Sequence, residues 1–216
     1  MKGSNPPLSV LLVDDHEVVR AGYRRLLDST GDIEVVAEAS DGEQACRLYL
    51  EHRPDAVVMD LTMPGISGLD ASRRILARDA GAHILVFSVH ENEVFLNRAL
   101  DQGVLGYISK RNASRVMIEA VRCVARGELF IGQEMMPFLV KRSNSADEQR
   151  IAGLSPREFE VFRLRAEGRS VNEIAGLLKL SPKTVGHHNT SLKQKLGVNN
   201  DAGLTRLAIR LGVIEP

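Results

Sequence analysis

Five side chains capable of chemistry stand where short apolar runs end. Asp14 and Asp15 follow Val10–Val13, Asp60 follows Ala56–Met59, Ser88 follows Ile84–Phe87, and Lys110 comes just after Gly106–Ile108. Three carboxylates gathered in one crevice repel one another and need a cation. All-oxygen ligation with room for water is what Mg2+ prefers. A hydroxyl and an ammonium on the same edge complete a site in which a carboxylate nucleophile could accept an anionic group. Whether the five meet depends on the elements that carry them.

Those elements read as alternating strands and helices. Strand-like runs are Val10–Val13, Val35–Ala39, Ala56–Met59, Ile84–Phe87 and Gly106–Ile108. Between them lie amphipathic patterns near Glu17–Leu27, Gly42–Glu51, Leu69–Arg78, Glu93–Asp101 and Ser114–Ala125. Runs such as Val10–Val13 are apolar without alternation, as expected of strands buried on both faces. Five such βα units imply an α/β doubly wound, parallel, five-stranded sheet with helices on both sides. In a flavodoxin-like strand order the first and third strands are neighbours, and ligands sit at the carboxyl ends of the strands. Asp14, Asp15 and Asp60 then converge, with Ser88 and Lys110 on the same edge.

Residues 141–150 are polar and lack an apolar helical period, a linker composition. From Ser155 onward the pattern is helical. Ser155, Pro156 and Glu158 supply a cap, a first-turn proline and a capping-box acid for a helix carrying Phe159, Phe162 and Leu164. Val171–Leu178 reads as a second helix, Ser181-Pro182 opens a third with Val185, Leu192 and Leu196 inward, and a fourth spans about 202–211. Four short helices in this arrangement make a small all-α helix-turn-helix. The expected division is 8–128 for the sheet domain, 129–152 for a connecting helix and linker, and 153–216 for the helical domain. Charge divides likewise: residues 1–149 hold 17 Lys and Arg against 22 Asp and Glu, while residues 150–216 hold 11 against 6. A basic second half suits a polyanion partner. At helical spacing, Lys183, Gly186 and His187, Thr190, and Lys193 and Gln194 share the outer face of the third helix, which would lie in a DNA major groove.

The order and spacing of these residues resemble a known family. Val-Asp14-Asp15-His, Val-Met-Asp60-Leu-Thr-Met-Pro64-Gly, Phe87-Ser88 and Tyr107-Ile-Ser-Lys110 are similar to a CheY-like receiver domain. Leu154-Ser-Pro-Arg-Glu158, Ile174-Ala175, Ser181-Pro-Lys-Thr-Val185, His188, Lys195-Leu-Gly-Val198 and Gly212-Val-Ile214 resemble a LuxR-type helix-turn-helix. The combination looks like a NarL/FixJ-class response regulator of a bacterial two-component system. That resemblance implies that Asp60 accepts a phosphoryl group from a sensor histidine kinase. Asp14, Asp15, Asp60 and the Thr62 backbone carbonyl would hold Mg2+, Lys110 would pair with the phosphoryl oxygens, and Ser88 and Tyr107 would switch. Modification would alter dimerisation or interdomain contacts and so control transcription. The implied DNA contacts are Lys183, Thr184, Gly186, His187, His188, Thr190 and Lys193, with a homodimer on paired half-sites of double-stranded DNA. Three positions depart from the family pattern. Arg111 follows Lys110 where proline is common, and Gly186 and Thr190 stand where Lys or Arg is frequent.

Other classes fit less well. No apolar run approaches the roughly 20 residues needed to cross a bilayer, and Met1–Ser9 lacks a signal-peptide stretch, so a cytoplasmic protein without membrane contact is expected. Cys46 and Cys123 match neither a disulfide framework nor a zinc site and are expected as buried thiols. His16, His52, His83 and His90 show no ligand spacing and are expected to be solvated or in loops. An aspartyl-nucleophile phosphohydrolase generally needs a second acid two residues after the nucleophile, and Thr62 stands there. A regulator rather than an enzyme is the expectation. A constitutive DNA-binding scaffold would have no use for all five strand-end residues.

Overall fold

A computed structural model describes residues 6–111, 113–140 and 146–214. Positions 1–5 of the N-terminal segment, 141–145 of the expected linker and 215–216 lie outside the described residues. The chain forms two units, Met1–Glu91 with Ala99–Met136, and Asn92–Arg98 with Pro137–Pro216.

The first unit is built on a parallel sheet. Its elements are β1 (Leu8–Val13), α1 (Glu17–Asp28), β2 (Ile33–Ala39), α2 (Gly42–His52), β3 (Ala56–Met59), α3 (Gly68–Leu76), β4 (Ile84–Ser88), α4 (Glu93–Asp101, shared with the second unit), β5 (Gly106–Ser109), α5 (Ala113–Ala125), β6 (Phe130–Ile131) and a 3-10 turn over Gln133–Met135. Strand order is β2-β1-β3-β4-β5-β6, and every pairing is parallel. β3, β4 and β5 are buried at every residue, which is why their sequences run apolar without alternation. β2 alternates because it lies at an edge. On one face, Val10, Leu12, Val58, Leu85, Phe87 and Ile108 pack with Leu27, Met117 and Val121 into a single core cluster. Each such side chain contributes roughly 1.5–3 kcal/mol on burial.

The sheet has six strands rather than the expected five. β6 is only two residues long, too short to show periodicity, and falls in the segment read from sequence as connecting helix. It pairs Phe130 with Gly106 and Ile131 with Tyr107. Gly132 N then donates to the Tyr107 carbonyl (2.8 Å), and Ser109 N donates to Glu134 Oε1 (3.0 Å).

The second unit is helical, with α6 (Met136–Val140), α7 (Ala146–Ala152), α8 (Pro156–Ala166), α9 (Val171–Leu178), α10 (Pro182–Leu196) and α11 (Asp201–Arg210). The capping chemistry fixes where the helices start. Ser155 with Glu158 and Ser170 with Glu173 form complete capping boxes, and the Ser181 and Asn200 side chains accept from Thr184 N and Gly203 N. Gly197 closes α10 at φ +68°. Phe159, Phe162, Ile174, Val185, Leu192, Leu196 and Leu204 are buried. α7 occupies part of the stretch expected as linker; its single apolar anchor, Ile151, is buried, and one residue leaves no period to read. Cys46 is buried and Cys123 half-buried, and neither forms a disulfide.

Candidate functional site

Backbone register brings the acids together. Val13 of β1 pairs with Met59 of β3, and Asp60 N donates to the Val13 carbonyl (2.9 Å), so Asp14 and Asp60 leave the sheet side by side. Ser88 pairs with Ser109, and Lys110 N donates to the Ser88 carbonyl (2.8 Å). Lys110 Nζ then reaches back across the crevice to Asp14 Oδ2 (2.6 Å) and Asp60 Oδ2 (2.7 Å). The amides of His16 and Thr62 donate to Asp14 Oδ1 (2.8 Å) and Asp60 Oδ1 (3.1 Å), which orients both carboxylates.

Electrostatics follow from this burial. Asp14 and Asp60 are almost fully buried. Desolvation pushes the Asp60 carboxyl up to about 6 against the pull of Lys110. Burial alone would lower Lys110, but Asp60 and Asp14 outweigh it and hold the ammonium above its ordinary value. The site therefore keeps a cation paired between two carboxylates in a poorly solvated crevice.

A cation fits the acids that remain. Asp14, Asp15, His16 and Asp60 each offer one ligand atom, all within 4.8 Å of one another. Asp15 Oδ1 is buried yet accepts no hydrogen bond. A buried carboxylate oxygen without a hydrogen bond is costly unless something positive serves it, and the nearby His16 ring does so only when protonated. The donor set, mostly carboxylate oxygen, suits Mg2+.

Ser88 and Tyr107 are both fully buried and both meet His90. His90 N donates to Ser88 Oγ (3.2 Å), and Tyr107 Oη donates to the His90 carbonyl (2.7 Å). Burial drives the Tyr107 phenol far above its usual range. The His90 ring is hydrogen-bonded to the Thr62 hydroxyl (3.0 Å). One loop residue thus links the ends of β4 and β5 to the segment after Asp60. His90 lies in a loop, as expected, and three segments meet on it there, which no local spacing could reveal. His16 is exposed and outside any helix or strand, as expected, and its Nδ1 also lies 2.8 Å from Asp15 Oδ1. Arg111 N donates to Ser109 Oγ (3.1 Å), a bond that proline at this position could not make. Gly68 also escaped sequence reading: a Cβ there would fall 1.9 Å from the Asp60 carbonyl oxygen.

In the helical unit, Lys183, His187, Thr190 and Gln194 are exposed along α10, while Thr184, Gly186, His188 and Lys193 are half-buried. The Thr190 hydroxyl donates to the Gly186 carbonyl (3.1 Å), and nothing lies within 4 Å of a Cβ placed on Gly186. Burial holds the His188 imidazole below its ordinary pKa. Lys193 Nζ pairs with Asp201 Oδ1 (2.8 Å), so this cation is already engaged inside the unit. Glu158 of α8 ties the outer helix to its scaffold. It accepts from Ser191 Oγ (2.6 Å), Lys195 Nζ (2.7 Å) and Ser155 N (2.8 Å), and although its burial works the other way, these donors bring it down to about 2.

Comparison with known proteins agrees with both halves. Residues 10–122 match the response regulator receiver domain and residues 152–208 the bacterial regulatory proteins of the luxR family. The response regulator UvrY of Escherichia coli K12 is 38% identical over 208 residues, 95% of each chain. The response regulator GacA of Pseudomonas aeruginosa is 34% identical over 96% of this chain and 98% of its own. Among solved structures, RcsB of Salmonella enterica serovar Typhimurium, bound to promoter P1flhDC in the presence of a phosphomimetic, superposes with a TM-score of 0.66 at 30% identity, covering 93% of this chain and 97% of that one. No described helix is long and apolar enough to cross a membrane. With a receiver match on the sheet unit, a luxR match on the helical one and relatives aligned nearly end to end, the chain belongs to the NarL/FixJ-class response regulators of two-component systems.

Proposed function

We propose that this chain is a transcription regulator switched by phosphorylation of Asp60, with a sensor histidine kinase as donor and Mg2+ as the metal. The observation that carries the reading is the Lys110 ammonium held between Asp14 Oδ2 and Asp60 Oδ2 at 2.6 and 2.7 Å. An Asp60 carboxylate oxygen forms the new bond to phosphorus as the bond to the donor breaks, leaving an acyl phosphate and the donor's leaving group. Asp14, Asp15, Asp60 and the Thr62 carbonyl would hold Mg2+, which supplies charge neutralisation of the phosphoryl oxygens. Lys110 exchanges its carboxylate partners for a phosphoryl oxygen. Ser88 turns its hydroxyl to the new group, releasing His90 N, and the Tyr107–His90 contact responds. A group of charge near −2 placed beside these residues biases the segments after β4 and β5.

The readout is DNA binding as a homodimer on paired half-sites. α10 would enter the major groove, with Lys183, Thr184, Gly186, His187, His188, Thr190 and Lys193 at the contact. The structure of RcsB bound to promoter DNA supports the DNA-binding part of this reading. The expected domain limits, 8–128, 129–152 and 153–216, belong to the proposal, as does a cytoplasmic location without membrane contact. The chain is read as a regulator and not an enzyme, because Thr62 offers no general acid for turnover. Incubation with a small phosphodonor and Mg2+, followed by intact-protein mass, tests the site. Wild type gains one phosphoryl group and Asp60→Asn gains none; equal labelling of the two would overturn the assignment.

A further inference from the structure

The acidic crevice carries a residue that the Mg2+ reading does not use. His16 caps α1 directly after Asp14 and Asp15, and its ring folds back toward them. Nδ1 stands 2.8 Å from Asp15 Oδ1 and 3.2 Å from Asp14 Oδ1. Adjacent ligand atoms of an octahedral ion with bonds near 2.1 Å lie about 3.0 Å apart. The two measured separations bracket that edge. The short Asp15 approach is an ion-pair contact that lacks hydrogen-bond geometry, and Asp15 Oδ1 is buried. An oxygen and a nitrogen in contact without hydrogen-bond geometry are spaced as two adjacent ligand atoms would be.

We infer that His16 is a nitrogen ligand of this cation site, engaged by late first-row divalent ions such as Ni2+ and left aside by Mg2+. The chemistry separates the two. Mg2+ takes oxygen and keeps its waters. Imidazole suits Ni2+ and Zn2+, and affinity for a mixed nitrogen and oxygen site rises along the series from Mn2+ toward Cu2+. Binding through Nδ1 uses the tautomer whose N–H sits on the other ring nitrogen, and that nitrogen belongs to an imidazole whose side chain is 67% exposed. Backbone geometry favours the pose, because the His16 amide already donates to Asp14 Oδ1 (2.8 Å) and fixes the ring's approach. The same carboxylates then serve two classes of metal, and a late ion displaces Mg2+ from the crevice.

This inference rests on the crevice being the cation site proposed above. The test is isothermal titration of the full chain with Ni2+ and, separately, with Mg2+, for wild type and His16→Ala. The expected result is a Ni2+ affinity at least about tenfold weaker in His16→Ala, with Mg2+ affinity within about twofold of wild type. Ni2+ binding to wild type must also weaken when Mg2+ is added, since both use the same carboxylates. A Ni2+ affinity unchanged by His16→Ala, or indifferent to Mg2+, would overturn the role of His16. Absence of Mg2+ binding to wild type would instead remove the Mg2+ reading, while a His16-dependent Ni2+ titration would still stand.

Discussion

Gly68 gives a sharp test of how the backbone shapes the acidic crevice. It opens α3, and its N donates to the Leu61 carbonyl (3.0 Å). A Cβ at this position would lie 1.9 Å from the Asp60 carbonyl oxygen, 2.7 Å from the Asp60 carbonyl carbon and 2.9 Å from Leu61 Cα. A carbon normally approaches a carbonyl oxygen no closer than about 3.3 Å, so a gap of roughly 1.4 Å has to open. All three obstacles are backbone, and no side chain can swing aside. Overpacking of this kind costs about 1–3 kcal/mol, which lowers the melting temperature of a unit this size by several degrees. Moving the Asp60 backbone also moves its carboxylate away from Lys110 and Asp14, and a misplacement near 1 Å can cost about a hundredfold in rate. Gly68→Ala should therefore fold, melt earlier, and be labelled by a small phosphodonor at least tenfold more slowly than wild type. Gly22→Ala is the control: it lies inside α1 with nothing within 4 Å of a new Cβ, and it should be neutral or stabilising by up to ~1 kcal/mol. Labelling of Gly68→Ala at the wild-type rate would refute the argument that this glycine positions the site.

Two further outcomes follow from the helical unit. Glu158 is held at about 2, well below its ordinary 4.5, so its stabilisation is fully present above about pH 4.5 and is lost as pH falls toward 2. That shift corresponds to a ceiling near 3 kcal/mol, reduced because Lys195 is 43% exposed and screened. Glu158→Gln should accelerate amide exchange in α8 and α10 at pH 7, with the difference from wild type shrinking at acid pH; a difference independent of pH would contradict the ion-pair account. Separately, Lys183→Ala should reduce the log–log salt slope of DNA binding by about one, and an unchanged slope would show that Lys183 neutralises no phosphate.

The strand ends were legible because fully buried parallel strands leave unbroken apolar runs, and Asp14, Asp60, Ser88 and Lys110 stand directly after them. The helix starts were legible for a different reason: Ser155, Ser181 and Glu158 are local signals of capping. β6 and α7 were not, since a two-residue strand and a helix with one apolar anchor carry no period. His90 and Gly68 escaped because their importance arises from tertiary approach. His90 collects the ends of β4 and β5 with Thr62, and Gly68 meets the carbonyl of a residue eight positions earlier. Lys193 shows the converse. Its place on the outer face of α10 was readable, but its pairing with Asp201 depends on how α11 packs, which no pattern within α10 reports.

The most direct test of the whole account couples its two halves in one tube. Affinity of the full chain for a duplex taken from its own bound genomic sites is measured with and without a phosphodonor and Mg2+, for wild type and Asp60→Asn. The account predicts that phosphorylation shifts wild-type affinity and that Asp60→Asn does not respond. Identical affinity of wild type in both conditions, with Asp60 verified as modified, would contradict it.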